Sequence, residues 1–196
     1  MKTILVTYAV KEEFIELKAD GYNIIYLQTG VGKTRSTFFL TKAIIEEKPD
    51  FVLNIGTAGT LLHNIGDIFI ATHFIDRDYE VIKLPGIEYE IEGKQVSGSN
   101  PKLRNWISAY HTLGTCNTGD TFVTEISSLS GEFVDMEGYA QAFVCKELGL
   151  PFLSVKYITD IIGKNSVEHW ENKLADARIA LTQWFNENEL LSVLIE

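Results

Sequence analysis

Residues 51–59 read F-V-L-N-I-G-T-A-G, an apolar and β-branched run that ends among glycines. The run predicts a buried strand over Phe51–Ile55, because short apolar segments bounded by glycine are typical of strands covered on both faces. A helical pattern over Lys33–Glu47 comes before this strand, and another strand pattern over Asn23–Gln28 comes before the helix. Alternation of this kind is typical of α/β domains built around a largely parallel sheet.

The same alternation continues along the chain in both directions. Further strands are predicted at Lys2–Tyr8, Asp67–Phe74, His111–Asn117 and Pro151–Tyr157, and further helices at Pro101–Ala109, Glu137–Leu148 and Val167–Asn186. Neither a repeat nor a low-complexity linker interrupts the pattern. We therefore expect a single α/β domain over residues 1–196.

Two of the predicted helices carry marked apolar positions. The apolar side of the helix over Lys33–Glu47 includes Phe38, Phe39, Ala43, Ile44 and Ile45. The helix over Glu137–Leu148 has Ala140, Phe143, Val144 and Leu148 at helical spacing. We expect this second apolar face to pack on the sheet.

Composition and charge exclude several classes of function. The net charge of -10 disfavours nucleic acid and anionic membranes as partners, and no segment concentrates enough lysine and arginine to overcome it. The apolar run over residues 3–10 is too short for a secretory signal, and nothing approaches a membrane span, so we expect a cytoplasmic protein. Cys116 and Cys145 are far apart in the sequence, which supports neither a disulfide framework nor a zinc site.

The segment T-G-V-G-K-T at residues 29–34 resembles part of a phosphate-binding loop. That loop requires a glycine five residues before Gly32, where this chain has Leu27. The dinucleotide fingerprint G-x-G-x-x-G is absent as well. The sequence therefore favours neither an NTPase nor a Rossmann cofactor, and we expect no cofactor.

Glycines follow three of the predicted strands, namely Gly30 and Gly32, Gly56 and Gly59, and Gly119. Each alone is compatible with an ordinary tight turn. Ligands of parallel α/β sheets bind at the carboxyl ends of the strands, where a glycine lets the backbone approach them closely. Together these glycines favour one shared pocket.

Four acidic residues are expected just past strand ends, at Glu13, Asp120, Glu137 and Asp160. Each alone is compatible with a surface charge or a helix cap, and Glu137 fits the cap role well. Asp160, however, follows an apolar run, and a carboxyl group buried there can hold the proton that a general acid needs.

Several carboxylates without a metal-binding histidine pattern suit the cleavage of a glycosidic bond. The four histidines form no H-E-x-x-H spacing, and no G-x-S-x-G elbow for a serine hydrolase is present.

Five motifs in order carry a family resemblance: V-L-N-I-G-T-A-G at 52–59, G-D-I at 66–68, T-G-D-T-F-V at 118–123, V-D-M-E-G at 134–138 and V-K-Y-I-T-D at 155–160. They resemble the nucleoside phosphorylase family, and within it most of all the methylthioadenosine/S-adenosylhomocysteine nucleosidases. The resemblance runs from residue 1 to about residue 165. It implies a three-layer fold with a central mixed, largely parallel sheet flanked by helices, and release of adenine by hydrolysis.

The resemblance implies roles for three acidic residues. Glu13 ends a segment similar to the family's A-M-E-E-E and would hold the attacking water. Asp160 matches the acid that protonates N7 of the leaving purine. Glu137 matches the residue that accepts hydrogen bonds from the ribose hydroxyls.

The resemblance also implies binding residues. Phe122 would stack on the base, and the backbone of Val123 would bond to the base edge. Met136 belongs to the ribose-binding pair, while Gly59 and Ala58 would line the sugar site.

The phosphorylases of this family resemble one another in an arginine-bearing phosphate site, with an arginine where this chain has Asn54. No arginine of this chain matches the motifs of that site. Water is therefore the expected acceptor.

The chain departs from the nucleosidases at Gly138, Tyr139 and Lys156, where small residues and arginine are usual. These departures leave the 5' substituent of the substrate open. Futalosine nucleosidases share the same scaffold and similar motifs, so a futalosine or other purine nucleosidase, or a nucleoside phosphorylase, stays as an alternative. The loop at residues 83–89 resembles a family loop that completes the pocket of a neighbouring subunit. A homodimer is implied, although this loop's apolar residues could equally be packed on the chain's own surface.

Overall fold

The computed structural model describes residues 1–98, 100–110, 112–125, 130–164 and 166–194. In these residues the strands are β1 (Lys2–Tyr8), β2 (Tyr22–Gln28), β3 (Phe51–Thr60), β4 (Ile68–Asp76), β5 (Glu90–Glu92), β6 (Leu113–Thr118), β7 (Phe133–Asp135) and β8 (Phe152–Ile161). The α-helices are α1 (Lys33–Glu47), α2 (Arg77–Ile82), α3 (Gly93–Val96), α4 (Pro101–Ala109), α5 (Gly138–Glu147) and α6 (Ser166–Asn188).

The sheet is mixed and largely parallel, as expected, but part of it closes on itself. The strands β3, β8, β4, β6 and β7 form a ring, because each is hydrogen-bonded to the next and β7 pairs back with β3. The pairings of β3 with β8 and of β4 with β6 change register at Ala58/Gly59 and Ala71/His73. Such irregularities increase the bend and twist of a sheet, which allows it to close. The expected mixed sheet flanked by helices is therefore only part of the description, because five of its strands form a closed ring that was not predicted.

Helices cover both faces of the sheet because successive side chains of a strand point to opposite sides. On β1, Ile4 and Val6 pack in one apolar core with Ala177 and Leu181 of α6. Leu5 lies in the other core with residues of α1 and α5.

The predicted bounds of β1, α1 and α4 are those that the structure has. Two central strands are longer than predicted. β3 continues to Thr60, so Gly56 and Gly59 lie inside a strand and not after it. β8 likewise continues to Ile161 and contains Asp160. These two strands pair with each other over nearly their whole length, which keeps the glycine-rich part of β3 extended. His111, the predicted start of a strand, is outside the described residues.

The predicted apolar faces were only partly correct. Ala43 and Ile44 of α1 are buried, but Phe38, Phe39 and Ile45 are exposed. On α5, Ala140 and Val144 are buried, whereas Phe143 and the residue that follows the helix, Leu148, are exposed. No helix within the described ranges has both the length and the apolar character needed to cross a membrane.

Candidate active site

A cavity of about 300 Å³ opens where β3 and β8 end, beside the start of α5. We call it the carboxylate cavity because four acidic residues from three separate parts of the chain line it, namely Glu13, Asp135, Glu137 and Asp160. All eight residues that the sequence assigned to the site lie on its wall: Glu13, Ala58, Gly59, Phe122, Val123, Met136, Glu137 and Asp160. Asp120, the fourth acidic candidate, is exposed and accepts a hydrogen bond from the backbone of Lys33 at 2.7 Å.

Glu13 ends a short 3₁₀ turn, Lys11–Glu13, that follows β1. The turn brings its carboxylate back over the strand end, where Oε2 accepts the N–H groups of Ala9 and Val10 at 3.1 and 3.3 Å. The other oxygen accepts both the backbone N–H of Thr57 at 2.9 Å and the Thr57 hydroxyl at 2.6 Å. Both oxygens of this buried carboxylate are therefore held in place.

Glu137 is the N-cap residue of α5, but its side chain makes no capping hydrogen bond to the helix. Its Oε1 instead accepts the backbone N–H of Gly32 at 2.9 Å. Burial and the nearby charge of Asp135 raise the pKa of Glu137 to about 8, against the opposing effects of Lys156 and of the Gly32 bond. This environment therefore favours the protonated form of Glu137 up to about this pH.

Asp160 lies on β8 directly opposite Gly59 of β3. The Thr159 hydroxyl donates to Asp160 Oδ1 at 2.9 Å. A Cβ atom added to Gly59 would lie 2.8 Å from the other oxygen of this carboxylate, closer than two such atoms can approach. Gly59, which has no side chain, thus makes room for the carboxylate of Asp160.

Asp135, on the same wall, forms a buried ion pair with Lys156 that the sequence did not indicate. Nζ of Lys156 is 3.0 Å from Oδ2 of Asp135, and the lysine side chain is only 2 % exposed. Burial alone would lower the pKa of Lys156, but Asp135, Glu137 and Glu13 together raise it well above its usual value. Burial would raise the pKa of Asp135, but Lys156 and the Thr118 hydroxyl hold it below its usual value. Lys156 thus balances part of the negative charge at the site.

Comparison with known proteins supports the reading of these motifs. The family model described as "Phosphorylase superfamily" matches residues 6–184. This chain belongs to the phosphorylase superfamily.

Curated and solved members of the superfamily are similar over most of their length. A 5'-methylthioadenosine/S-adenosylhomocysteine nucleosidase from Bacillus velezensis is 30% identical over 87% of this chain and 82% of its own. The Helicobacter pylori nucleosidase of the same name, solved with butyl-thio-DADMe-Immucillin-A, superposes with a TM-score of 0.79 at 23% identity and covers 96% of this chain and 98% of its own. A futalosine hydrolase from the same organism has a TM-score of 0.76 at 23% identity, covering 98% and 97%. At these identities the two structures establish the shared fold.

In this member of the superfamily, the wall residues that the sequence analysis did not assign include Trp170 and Arg77. Trp170 of α6 lies edge-on to Phe122, with ring centroids 6.2 Å apart. Arg77 donates to the backbone oxygens of Asn117 at 3.0 Å and Thr121 at 2.9 Å. Arg77 thereby ties the loop that carries Phe122 to the end of β6. No motif of the resemblance includes either residue, so only the structure could place them.

The lysine of the T-G-V-G-K-T segment does not face the carboxylate cavity. Nζ of Lys33 pairs with Asp76 at 2.9 Å and with Asp78 at 2.6 Å. Gly32 has φ of +97°, a conformation that favours glycine, and its N–H points to Glu137. The segment therefore supplies a turn and one backbone donor to the site.

Proposed function

We propose that this chain is a purine nucleosidase that hydrolyses the N-glycosidic bond of 5'-methylthioadenosine and S-adenosylhomocysteine and releases adenine. The observation that carries the proposal is the meeting of Glu13, Glu137 and Asp160 on the wall of one cavity. The curated nucleosidase that is 30% identical over most of both chains supports the same reaction.

The reaction breaks the bond between C1' of the ribose and N9 of the purine. The bonding electrons leave with the base, and Asp160 donates a proton to N7. Water bonds to C1' through its oxygen and gives up a proton to Glu13, and exchange with solvent then restores both carboxyl groups. Positive charge develops on the ribose as the bond breaks, and the nearby carboxylates stabilise it.

The base and the sugar are held at different parts of the cavity wall. Phe122 stacks on the purine, and the Val123 backbone bonds to its edge. The ribose hydroxyls donate to Glu137, beside Met136. Ionic hydrogen bonds of this kind favour the charged carboxylate, so binding of the sugar draws Glu137 away from its protonated form.

Water is a better acceptor than phosphate at this site. Of the described residues on the cavity wall, Arg77 alone carries a positive charge, and its guanidinium is bonded to Asn117 and Thr121. Asn54 stands where phosphorylases carry an arginine. It is buried, and it forms hydrogen bonds with the hydroxyl groups of Thr7 and Ser154. A phosphate dianion would meet the carboxylates without a free cation to bind it.

The direct test is to incubate the purified chain with each nucleoside and to measure the released base by chromatography. With 5'-methylthioadenosine or S-adenosylhomocysteine, we expect adenine together with the free 5'-substituted ribose. The rate should be the same with and without inorganic phosphate. A rate that requires phosphate, with a ribose 1-phosphate as product, would overturn the proposal.

A futalosine nucleosidase is the second candidate, because the fold is also that of a futalosine hydrolase. Futalosine, adenosine and inosine therefore belong in the same assay. Release of hypoxanthine from futalosine at a higher kcat/KM than release of adenine from 5'-methylthioadenosine would favour this candidate.

We further infer that the chain works as a homodimer. A groove outside the carboxylate cavity is lined by apolar side chains of α1 and α5 and of the loop at 83–89, among them Phe38, Ile45, Ile87 and Phe143. Each of these four side chains is exposed. Within the loop, Glu88 is anchored to α5 by the Tyr139 hydroxyl at 2.8 Å. Exposed apolar residues gathered in one place are typical of a protein interface, and a second copy is the occupant that the family resemblance implies.

Two isoleucines offer a matched test of the dimer. Ile45 of α1 is 66% exposed in the groove, and Ile179 of α6 is 69% exposed far from it. We expect Ile45→Asp to raise the dimer dissociation constant at least about 100-fold, because burying an unpaired charge costs several kcal/mol. Ile179→Asp should leave the constant unchanged. Sedimentation equilibrium measures both, and a monomeric parent chain would refute the dimer.

A further inference from the structure

Trp170 makes a hydrogen bond that reaches the proposed water-holding residue. It lies near the start of α6, and its indole lines the carboxylate cavity. The indole Nε1–H donates to the Thr57 hydroxyl oxygen at 2.9 Å. An indole nitrogen can only donate, so the Thr57 oxygen is the acceptor in this contact.

The Thr57 hydroxyl then has one direction left for its own proton. Its oxygen is 2.6 Å from Oε1 of Glu13, and a carboxylate can only accept. The bonds therefore run one way, from the indole N–H to the threonine hydroxyl and on to the carboxylate. Bonds in such a chain strengthen one another, so the first donor helps to hold the last acceptor.

Core packing does not account for this tryptophan. The apolar cores beneath the two faces of the sheet include Trp106 and Trp184 among their described members, but not Trp170. Its ring is only partly buried, and it meets the ring of Phe122 edge-on. One side chain thus touches the proposed base-stacking residue and, through Thr57, the proposed water-holding residue.

We propose that Trp170 is a positioning residue for hydrolysis, which orients the Glu13 carboxylate through the Thr57 hydroxyl. This inference rests on the role proposed above for Glu13. The C-terminal helix thereby forms part of the cavity wall and also fixes the geometry of the attacking water.

Phenylalanine at position 170 keeps an aromatic ring on the cavity wall and removes the donor. We expect Trp170→Phe to lower kcat about 3- to 10-fold, the factor that corresponds to one neutral hydrogen bond. KM should stay within about twofold, because the surface offered to the substrate is retained. A merely structural role would not separate kcat from KM in this way.

A matched control and a second variant sharpen the measurement. Trp106 donates its indole N–H to the backbone oxygen of Asn188, away from the cavity, so Trp106→Phe should leave kcat and KM unchanged. Thr57→Val removes the hydroxyl that donates the next hydrogen bond, to Glu13. The double variant Trp170→Phe/Thr57→Val should be no slower than Thr57→Val alone, because the two changes break one connection. Additive losses, or an unchanged kcat in Trp170→Phe, would overturn the proposal.

A spectroscopic measurement tests the hydrogen-bonded connection from Trp170 through Thr57 to Glu13, and it does not require the chain to turn over a substrate. The chain has three tryptophans, and a ¹⁵N–¹H correlation spectrum displays their indole N–H groups as separate signals. Trp170→Phe identifies the signal of Trp170. Glu13→Gln should then shift that signal and leave those of Trp106 and Trp184 in place.

The two experiments separate failure of this inference from failure of the proposed function. If the parent chain released no base, the function would be wrong, but the shift in Glu13→Gln would still establish the connection. If the parent chain released adenine and the Trp170 signal did not move, the function would stand and the positioning role would be wrong.

Discussion

We expect Asp160→Asn to lower the rate of base release by about 10²- to 10⁴-fold, the usual effect of losing a positioned general acid. This factor corresponds to roughly 3 to 5 kcal/mol of activation free energy. Asparagine has the size of aspartate and can still accept the hydrogen bond from the Thr159 hydroxyl, but it has no acidic proton to give to the purine. Because asparagine fits the same space beside Gly59, the fold is expected to stay intact.

The measurement is adenine release at saturating substrate, with circular dichroism and thermal unfolding as the check on the fold. Asp120→Asn is the matched control, since Asp120 is an exposed carboxylate outside the cavity. We expect this control to release adenine at the rate of the parent chain. A rate within about tenfold of the parent for Asp160→Asn would remove Asp160 from the chemistry.

The sequence placed all eight assigned residues on one cavity because its motifs fall where the central strands end. It could not place Trp170, since the resemblance ends at about residue 165. Lys156 was visible as a departure from the family, but its ion pair with Asp135 was not. That pairing depends on how β8 and β7 are arranged in the closed ring, which is a long-range property of the fold.

The fold was predictable where a strand or helix carries its own pattern. The predicted bounds of α1 and β1 agree with the structure, even though only part of the apolar face predicted for α1 is buried. β7 has only three residues and no pattern of its own, yet it closes the ring between β6 and β3. Ring closure could not be read locally because it is decided by pairing between distant segments.

The spacing of apolar residues also did not distinguish a helix face buried in the core of the chain from a face that a second copy would cover. Phe38, Ile45 and Phe143 have the spacing of core residues but are exposed in the described chain. A helix face that packs on a sheet and a face that packs on a second copy have the same composition. The homodimer proposed above gives these three side chains a partner.

Lys156→Met is expected to lower the free energy of unfolding by about 3–5 kcal/mol, the usual effect of removing one partner of a buried ion pair. Methionine fills a similar volume, so the loss is electrostatic. Asp135 would then be left buried without its cation, beside Glu137 and Glu13. Urea denaturation at pH 7 measures the difference, provided that the slope of the transition is unchanged.

The loss should depend on pH, and its sign follows from Asp135. In the parent chain Lys156 holds the pKa of Asp135 below its usual value. The ion pair therefore stabilises the folded chain at any pH above the ordinary pKa of an aspartate, and this stability is lost only when the pH falls through the lowered pKa. Without the lysine, burial raises the pKa of Asp135. The folded variant then binds a proton that the unfolded chain has released, and its stability falls as the pH rises. The deficit relative to the parent chain should therefore be smaller at pH 5 than at pH 7.

The double variant Lys156→Met/Asp135→Asn separates loss of charge balance from loss of packing. Its amide removes the stranded charge and can still accept the hydrogen bond that the Thr118 hydroxyl gives to Asp135 at 2.6 Å. If the unpaired carboxylate is the cause, the double variant is more stable than Lys156→Met, even though it carries one substitution more. It should also lose the pH dependence that Asp135 causes. If the double variant were the less stable of the two, the lysine would act through packing, and its role in balancing the carboxylates of the site would have to be abandoned.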